Sequence, residues 1–114
     1  MQDLMEATFV KGIEAHKNGH LEEAVKQFNE VLSADPHHVG ANHSMGLIAV
    51  GVQDYKNGLD FFERGIQADP TEAKLWVGYI ETLIKSGRIE DAKKTLEFAK
   101  GKGAQGKEFD KFEN

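Results

Sequence analysis

The side chains best suited to metal chemistry in this 114-residue chain are its histidines, since the sequence contains no cysteine. His16 and His20 stand four residues apart, and two imidazoles at that spacing on one helix could chelate zinc. Gly19 lies between them, however, and glycine commonly ends a helix, which would separate the two rings. His37 and His38 lie in an expected loop after a proline, and no third ligand follows at a fixed spacing. We therefore expect no metal site and no cofactor.

Hydroxyl chemistry has no more support than metal chemistry. The three serines, Ser33, Ser44 and Ser86, fall at expected helix ends or faces, with no patterned base beside them to activate a nucleophile. The glycines fall at helix ends and packing positions rather than in a phosphate-binding motif. The sequence therefore predicts that this chain is not an enzyme.

Composition narrows the class of protein further. Charged residues make up 29% of the chain and hydrophobic residues 39%, which predicts one folded domain rather than a disordered or membrane-spanning chain. Residues 1–20 lack the basic start and apolar stretch of a secretory signal, so we expect a cytoplasmic location and no membrane. The net charge is −5, and basic residues alternate with acidic ones instead of clustering. Nucleic acid is therefore not an expected partner.

An internal repeat organises the chain. Its period is the separation between the only two prolines, Pro36 and Pro70, and the same shift superposes Phe28 on Phe62. A fixed period of this length is typical of stacked supersecondary units that cannot bury their apolar faces alone.

Apolar periodicity predicts two helices in each unit. In the first unit the two helices meet at Asn18 and Gly19, and in the later units they are expected at residues 39–51, 55–68, 72–86 and 89–100. Asp54 and Thr71 are the expected N-caps of two of them. No stretch alternates with period two between turn signals, so strands are not expected.

Residue size predicts how the helices pack. Small residues such as Gly12, Ala15 and Ala24 would let the two helices of a hairpin approach closely, and Phe28 and Phe62 would fill the space between successive hairpins. Truncating such a buried Phe to Ala should cost about 3–5 kcal/mol.

The residue types at these positions resemble the tetratricopeptide repeat, whose pattern runs Trp-x2-Leu-Gly-x2-Tyr, then Ala-x3-Phe, then Pro. The residues that carry the resemblance in the three units are Gly12, Ala15, Ala24, Phe28 and Pro36; Met45, Gly46, Ala49, Gly58, Phe62 and Pro70; and Trp76, Tyr79, Ile80, Leu83, Ala92 and Leu96. The resemblance covers about residues 5–104. It departs from the pattern at Thr8 and Asn42, which replace the aromatic residue, and at Lys11, which replaces an apolar one.

The resemblance implies an all-α fold, a right-handed α-solenoid of three antiparallel helix hairpins. The repeats would occupy about residues 5–38, 39–72 and 73–104 of one domain, 1–104. Residues 105–114 would form a short C-terminal capping helix over the last hairpin, or the start of a linker to a further domain.

In tetratricopeptide proteins the first helices of successive repeats line a concave groove that receives a peptide or helix. The resemblance therefore implies a protein-protein interaction scaffold with a protein or peptide ligand. By register, the candidate groove residues are Phe9, Val10, Ile13, His16, His43, Leu47, Val50, Lys74, Val77, Glu81 and Ile84. The alternative for each is packing between repeats, although Leu47 and Val77 are both expected at the surface. Of the carboxylate-clamp positions of chaperone-binding members, only Lys74 fits, so an acidic C-terminal tail is not an expected ligand.

Two further hypotheses concern the assembly. Residues 79–112 look similar to the tails that precede transferase domains in bacterial tetratricopeptide proteins, so the chain could be the noncatalytic N-terminal arm of a larger bacterial transferase. Alternatively, an exposed end face or a swapped terminal helix would give a weak homo-oligomer.

Overall fold

The computed structural model describes residues 2–103 and 106–112, with side chains from residue 4 onward. Within these ranges the chain is helical and has no strand. The helices are α1 Gln2–Lys17, α2 Leu21–Ala34, α3 Val39–Gly51, α4 Tyr55–Ala68, α5 Ala73–Lys85, α6 Ile89–Gly101 and a short 3₁₀-helix, Lys107–Phe112. They pair as three hairpins, α1–α2, α3–α4 and α5–α6, which form an α-solenoid.

One of the two expected caps is confirmed and the other is wrong. The Asp54 carboxylate accepts the backbone N–H of Asn57 at 3.4 Å and so caps α4. Helix α5 is capped instead by Glu72, whose carboxylate accepts the backbone N–H of Lys74 at 3.5 Å. Thr71 lies one residue further from the helix, where its N–H and its hydroxyl donate to Asp69 at 3.1 Å and 2.7 Å. Thr71 therefore belongs to the turn that precedes the helix.

The turns inside the hairpins need a residue in the left-handed region. Gly19 and Gly87, two periods apart, have φ values of +77° and +83°. In the middle hairpin Gln53 takes a similar conformation, with φ +63°. A side chain in that region costs roughly 1–2 kcal/mol, so the middle turn stores strain that the other two avoid.

Phe62 fills the space between the second and third hairpins, as predicted. Its side chain is 1% exposed, and a methyl group at either Gly46 or Gly78 would lie 2.6 Å from its ring. Phe28 makes the same close contact with Gly12 inside the first hairpin. The large rings and the glycines opposite them therefore determine how closely the helices approach.

Asn42 takes over one role of the aromatic residue that it replaces. The indole Nε1–H of Trp76 donates to the carbonyl of Pro70 at 2.7 Å. One period earlier, the Asn42 side-chain amide donates to the carbonyl of Pro36 at 3.0 Å. The departure from the repeat pattern thus keeps the hydrogen bond that ties α3, like α5, to the preceding proline.

The first helices lie on the inner side of the solenoid. Helix α1 contacts α3, and α3 contacts α5, whereas no contact of similar extent joins α2 to α4 or α4 to α6 in the described residues. A stack whose members approach more closely along one layer curves toward that layer. The first helices therefore form the shorter, concave face of a molecule that measures 40 × 27 × 21 Å.

The C-terminal 3₁₀-helix continues the register of the repeats. It begins one period after the start of α5, which itself begins one period after the start of α3. Phe109 within it is 4% exposed, and the residues one and two periods earlier, Leu75 and Ala41, are both fully buried. The segment packs where the next hairpin would begin and covers the end of the last hairpin. The expected boundary at residues 104–105 falls outside the described residues.

Candidate functional site

An apolar stripe crosses the concave face. Val10 on α1, Leu47 on α3 and Ile84 on α5 are 52%, 45% and 41% exposed. Leu47 follows Val10, and Ile84 follows Leu47, by three residues more than the repeat period. Each of these residues therefore lies about one helical turn further along its helix than the one before. Exposed aliphatic side chains thus follow a diagonal line across three successive first helices.

Two half-buried residues widen this stripe. Ile13 lies one turn after Val10 on α1 and packs against the core cluster of the first hairpin. Val50 holds the matching place after Leu47, and its methyl group lies close to Gly58 on α4. Their buried portions support the hairpins, while their exposed portions border the stripe.

Phe9 packs between the first two hairpins. Its ring is half-buried and lies 4.9 Å from the ring of His38 and 5.8 Å from that of Phe28. A methyl group at Gly40 would lie 2.6 Å from the Phe9 ring, so the close contact needs a glycine there. Phe9 therefore forms the floor of the groove at this end rather than a free anchor.

His38 is a structural residue that the sequence did not single out. Its Nδ1 accepts the backbone N–H of Ala41 at 3.0 Å and caps α3. Its Nε2 lies 3.4 Å from a Glu6 carboxylate oxygen on α1. One imidazole thus links the first two hairpins, and the position directly before α3 was the sequence signal that could have identified it.

The centre of the groove is polar. His43 is half-buried, with its ring 5.9 Å from that of Phe62. Burial lowers the pKa of His43, the positive charge of Lys74 lowers it further, and Glu72 opposes both. The imidazole is therefore held in its neutral form at neutral pH, beside the exposed side chain of Lys74.

The expectation that Val77 is a surface residue is wrong. Its side chain is 9% exposed and belongs to the core cluster of the third hairpin, with Trp76 and Ile80. It shares its register position with Phe9 and His43, which are both half-buried. Valine at this position is short enough to lie wholly among its neighbours.

The C-terminal segment closes one end of the groove. The Lys111 ammonium lies 2.9 Å from a Glu81 carboxylate oxygen, and Phe112 borders a pocket of about 240 Å³. The pocket is lined by Ile80, Ile84, Ile89, Ala92, Lys93, Leu96, Lys111 and Phe112. Sequence reasoning predicted a capping helix that contains Phe112 but did not single out Lys111, although Lys111 stands one period after Val77 and so shares its register.

His16 lies half-buried in the last turn of α1, and Gly19 separates it from His20, which precedes α2. The described residues contain no group of three or more His, Asp or Glu placed to hold a metal ion. No helix among them has the length and apolar character needed to cross a bilayer.

Comparisons with known proteins identify the repeat. Sequence profiles of the tetratricopeptide repeat match residues 6–38 and 49–108, the latter being more than half of the chain. No curated protein sequence matches the chain.

Solved structures share its fold at low sequence identity. The type III secretion translocator chaperone SycD of Yersinia enterocolitica is 21% identical, with a TM-score of 0.82 over 96% of this chain and 83% of SycD. SycD has also been solved in complex with a peptide of the translocator YopD, and that structure is 20% identical, with a TM-score of 0.83 over 96% of this chain and 84% of SycD. The N-terminal domain of stress-induced protein-1 from C. elegans is 15% identical, with a TM-score of 0.82 over 96% of this chain and 91% of that domain.

An enzyme also contains this fold. The O-GlcNAc transferase of Thermobaculum terrenum is 23% identical, with a TM-score of 0.77 over 86% of this chain but only 19% of the transferase. At these identities the likeness is one of fold. Together with the profile matches and the three hairpins, it shows that the chain belongs to the tetratricopeptide repeat family.

Proposed function

We propose that this protein is a noncatalytic interaction scaffold that binds an apolar peptide or helix in its concave groove. The observation that carries the proposal is the exposed stripe of Val10, Leu47 and Ile84, one residue from each first helix. Contiguous apolar surface of this kind marks binding sites in soluble proteins.

The geometry of the stripe limits the ligand. Adjacent packed helices lie about 8–10 Å apart, and one helical turn adds about 5 Å along the axis, so successive stripe residues are about 10 Å apart. An extended peptide covers that distance in about three residues, and a helix covers it in about seven. We therefore expect ligands with apolar side chains three residues apart if extended, or seven apart if helical.

A structural neighbour supports a peptide ligand by analogy. SycD has the same fold and has been solved in complex with a peptide of the translocator YopD. The analogy does not extend to the identity of the peptide, because only about a fifth of the residues are identical. The noncatalytic arm of a larger transferase stays an alternative prediction, because the chain spans only 19% of the transferase that it resembles.

The test removes the stripe without touching the core. Leu47→Asp and Ile84→Asp both change exposed side chains, whereas Val77→Asp would bury a charge in the third hairpin. The wild type and the double variant would each be used as bait in affinity capture from lysate, followed by mass spectrometry. We expect the double variant to lose the captured proteins while its circular dichroism stays helical.

Leu21→Asp is the matched control. Leu21 is 41% exposed, close to the 45% of Leu47, but it lies on α2, outside the layer of first helices. It should retain every captured protein. Capture of the same proteins by wild type and double variant would contradict the groove assignment.

A further inference from the structure

On the convex face, positions in register at the two junctions between hairpins carry side chains of different size. In the second hairpin, Phe61 on α4 packs against the core cluster that joins the first hairpin to α3, and the Arg64 guanidinium lies 5.4 Å above its ring. One period later, on α6, the residue in register with Phe61 is Thr95. The large aromatic plug between the first two hairpins therefore has no counterpart between the last two.

The missing ring leaves an open depression of about 440 Å³. Trp76, Tyr79 and Phe98 give it an aromatic lining, with Thr95 beside them and with Glu63 and Ile66 of α4 on the far wall. The rings of Trp76 and Phe98 are 5.9 Å apart and tilted by 58°, a favourable aromatic arrangement.

Phe98 is the most exposed of the three rings. Its side chain is 58% exposed, and the Lys102 ammonium lies over the ring, 5.2 Å from its centre. Burial raises the pKa of the Tyr79 phenol, and the charge of Glu63 raises it further. Tyr79 is half-buried and Trp76 is buried, so the depression combines one exposed ring with two rings that are packed into the hairpin.

We infer that this depression is a second binding site, which takes the aromatic side chain of a partner polypeptide in the place that Phe61 fills within the chain itself. The internal repeat supplies the argument for the occupant, because the residue in register with Thr95 one period earlier is Phe61, whose ring packs against the core there. The site lies on α4, α6 and the outer side of α5, opposite the apolar stripe, so it is independent of the concave groove.

N-acetyl-phenylalanine amide is the probe. Trp76 is the only tryptophan of the chain, so the single indole N–H resonance is assigned without ambiguity and belongs to a residue that lines the depression. We expect the probe to move this resonance saturably, with a dissociation constant on the order of 1 mM for a ligand of its size. N-acetyl-leucine amide should bind about two- to tenfold more weakly, because it lacks the ring–ring contacts.

Thr95→Phe would fill the site from within. The Thr95 hydroxyl donates only to the carbonyl of Asp91 at 2.8 Å, so its loss is a local change. We expect this variant to bind the probe at least about tenfold more weakly, whereas Thr95→Val, the matched control of similar size, retains binding. Phe98→Ala removes an exposed wall and should weaken binding even if Thr95→Phe fails to fold.

Several outcomes would overturn the inference. They are the absence of any saturable shift of the Trp76 resonance, an affinity unchanged by both Thr95→Phe and Phe98→Ala, or equal affinities for the phenylalanine and leucine amides. If the wild type were a dimer and Thr95→Phe dissociated it, the occupant would be a second copy of this chain. That result would also contradict a separate partner.

Discussion

The two junctions between hairpins carry different chemistry at the same register positions. At the first junction Phe9 packs against Gly40 and the ring of His38. At the second, the residues one period later are His43, Lys74 and Glu72, which interact through their charges. One backbone architecture therefore supports an aromatic floor at one end of the groove and a polar floor at its centre.

The convex sides of the two junctions differ in a complementary way. At the first junction, the hairpin α3–α4 contributes the small Asn42 from α3 and the large Phe61 from α4. At the second junction the sizes are reversed, because the hairpin α5–α6 contributes the large Trp76 from α5 and the small Thr95 from α6. The large residue comes from a different helix at each junction, and an open depression remains at the second one.

The largest expected effect comes from the rings that both junctions have in common. Phe62→Ala should lower the free energy of unfolding by about 3–5 kcal/mol, because the ring is buried against two glycines that cannot close the cavity. Phe28→Ala should cost a similar amount. Urea denaturation of both variants gives the comparison. A loss below about 1 kcal/mol for Phe62→Ala alone would mean that the second junction contributes little to stability.

The reversed sizes can be tested by exchange. Asn42→Trp alone should overpack the first junction and cost about 1–3 kcal/mol, since Asn42 is fully buried. Phe61→Thr alone should lose apolar burial. The double variant reproduces the pair of the second junction, where the depression beside Thr95 stays open with Trp76 in place, so we expect the two losses to add within about 0.5 kcal/mol in a double-mutant cycle. A coupling energy above about 1 kcal/mol would show that the two positions share space.

A smaller difference in stability is expected between variants of the two N-cap residues, His38 and Glu72. His38→Ala should cost about 1–2 kcal/mol, because it removes the N-cap of α3 and the ring contact with Phe9. Glu72→Ala, at the same register position, loses a hydrogen bond of 3.5 Å from Lys74 N–H and should cost less than about 0.5 kcal/mol. Thermal or urea unfolding would measure both, and equal costs would contradict the contrast between the junctions.

The smallest effect is electrostatic. His43 has a folded pKa below its usual value of 6.5, so between these two values the unfolded chain binds more protons. The stability contributed by the neutral imidazole is therefore present above pH 6.5 and is lost as the pH falls toward the folded pKa. Lys74→Gln should raise the pKa of His43, and Glu72→Gln should lower it. An NMR titration of the His43 ring would show shifts of opposite sign, and shifts of the same sign would contradict the assignment.

The repeat period predicted most of the fold, because helix length, turn position and the buried rings recur with it. It predicted Asp54 as a cap and Phe62 as the filler between hairpins. It could not predict the cap of α5, because the helix begins at Ala73 and so puts Glu72 rather than Thr71 at the N-cap position.

The candidate site was less predictable than the fold. Register assigns a residue to the layer of first helices, but the size of its neighbours decides whether it is exposed. Val10 and Leu47 are exposed, whereas Val77 is buried among larger residues of the third hairpin. The missing plug at Thr95 depends on a contact between two hairpins, which no single repeat contains.

The central claim is that the stripe of first-helix residues binds an apolar peptide. The most direct measurement selects peptides from a displayed random library on the immobilised protein and maps one of them by backbone amide shifts in NMR. We predict enriched apolar residues about three or seven positions apart and shifts confined to α1, α3 and α5, with binding lost in the Leu47→Asp, Ile84→Asp variant and kept in Leu21→Asp. Shifts confined to α2, α4 and α6, or binding that survives in the double variant, would contradict the account.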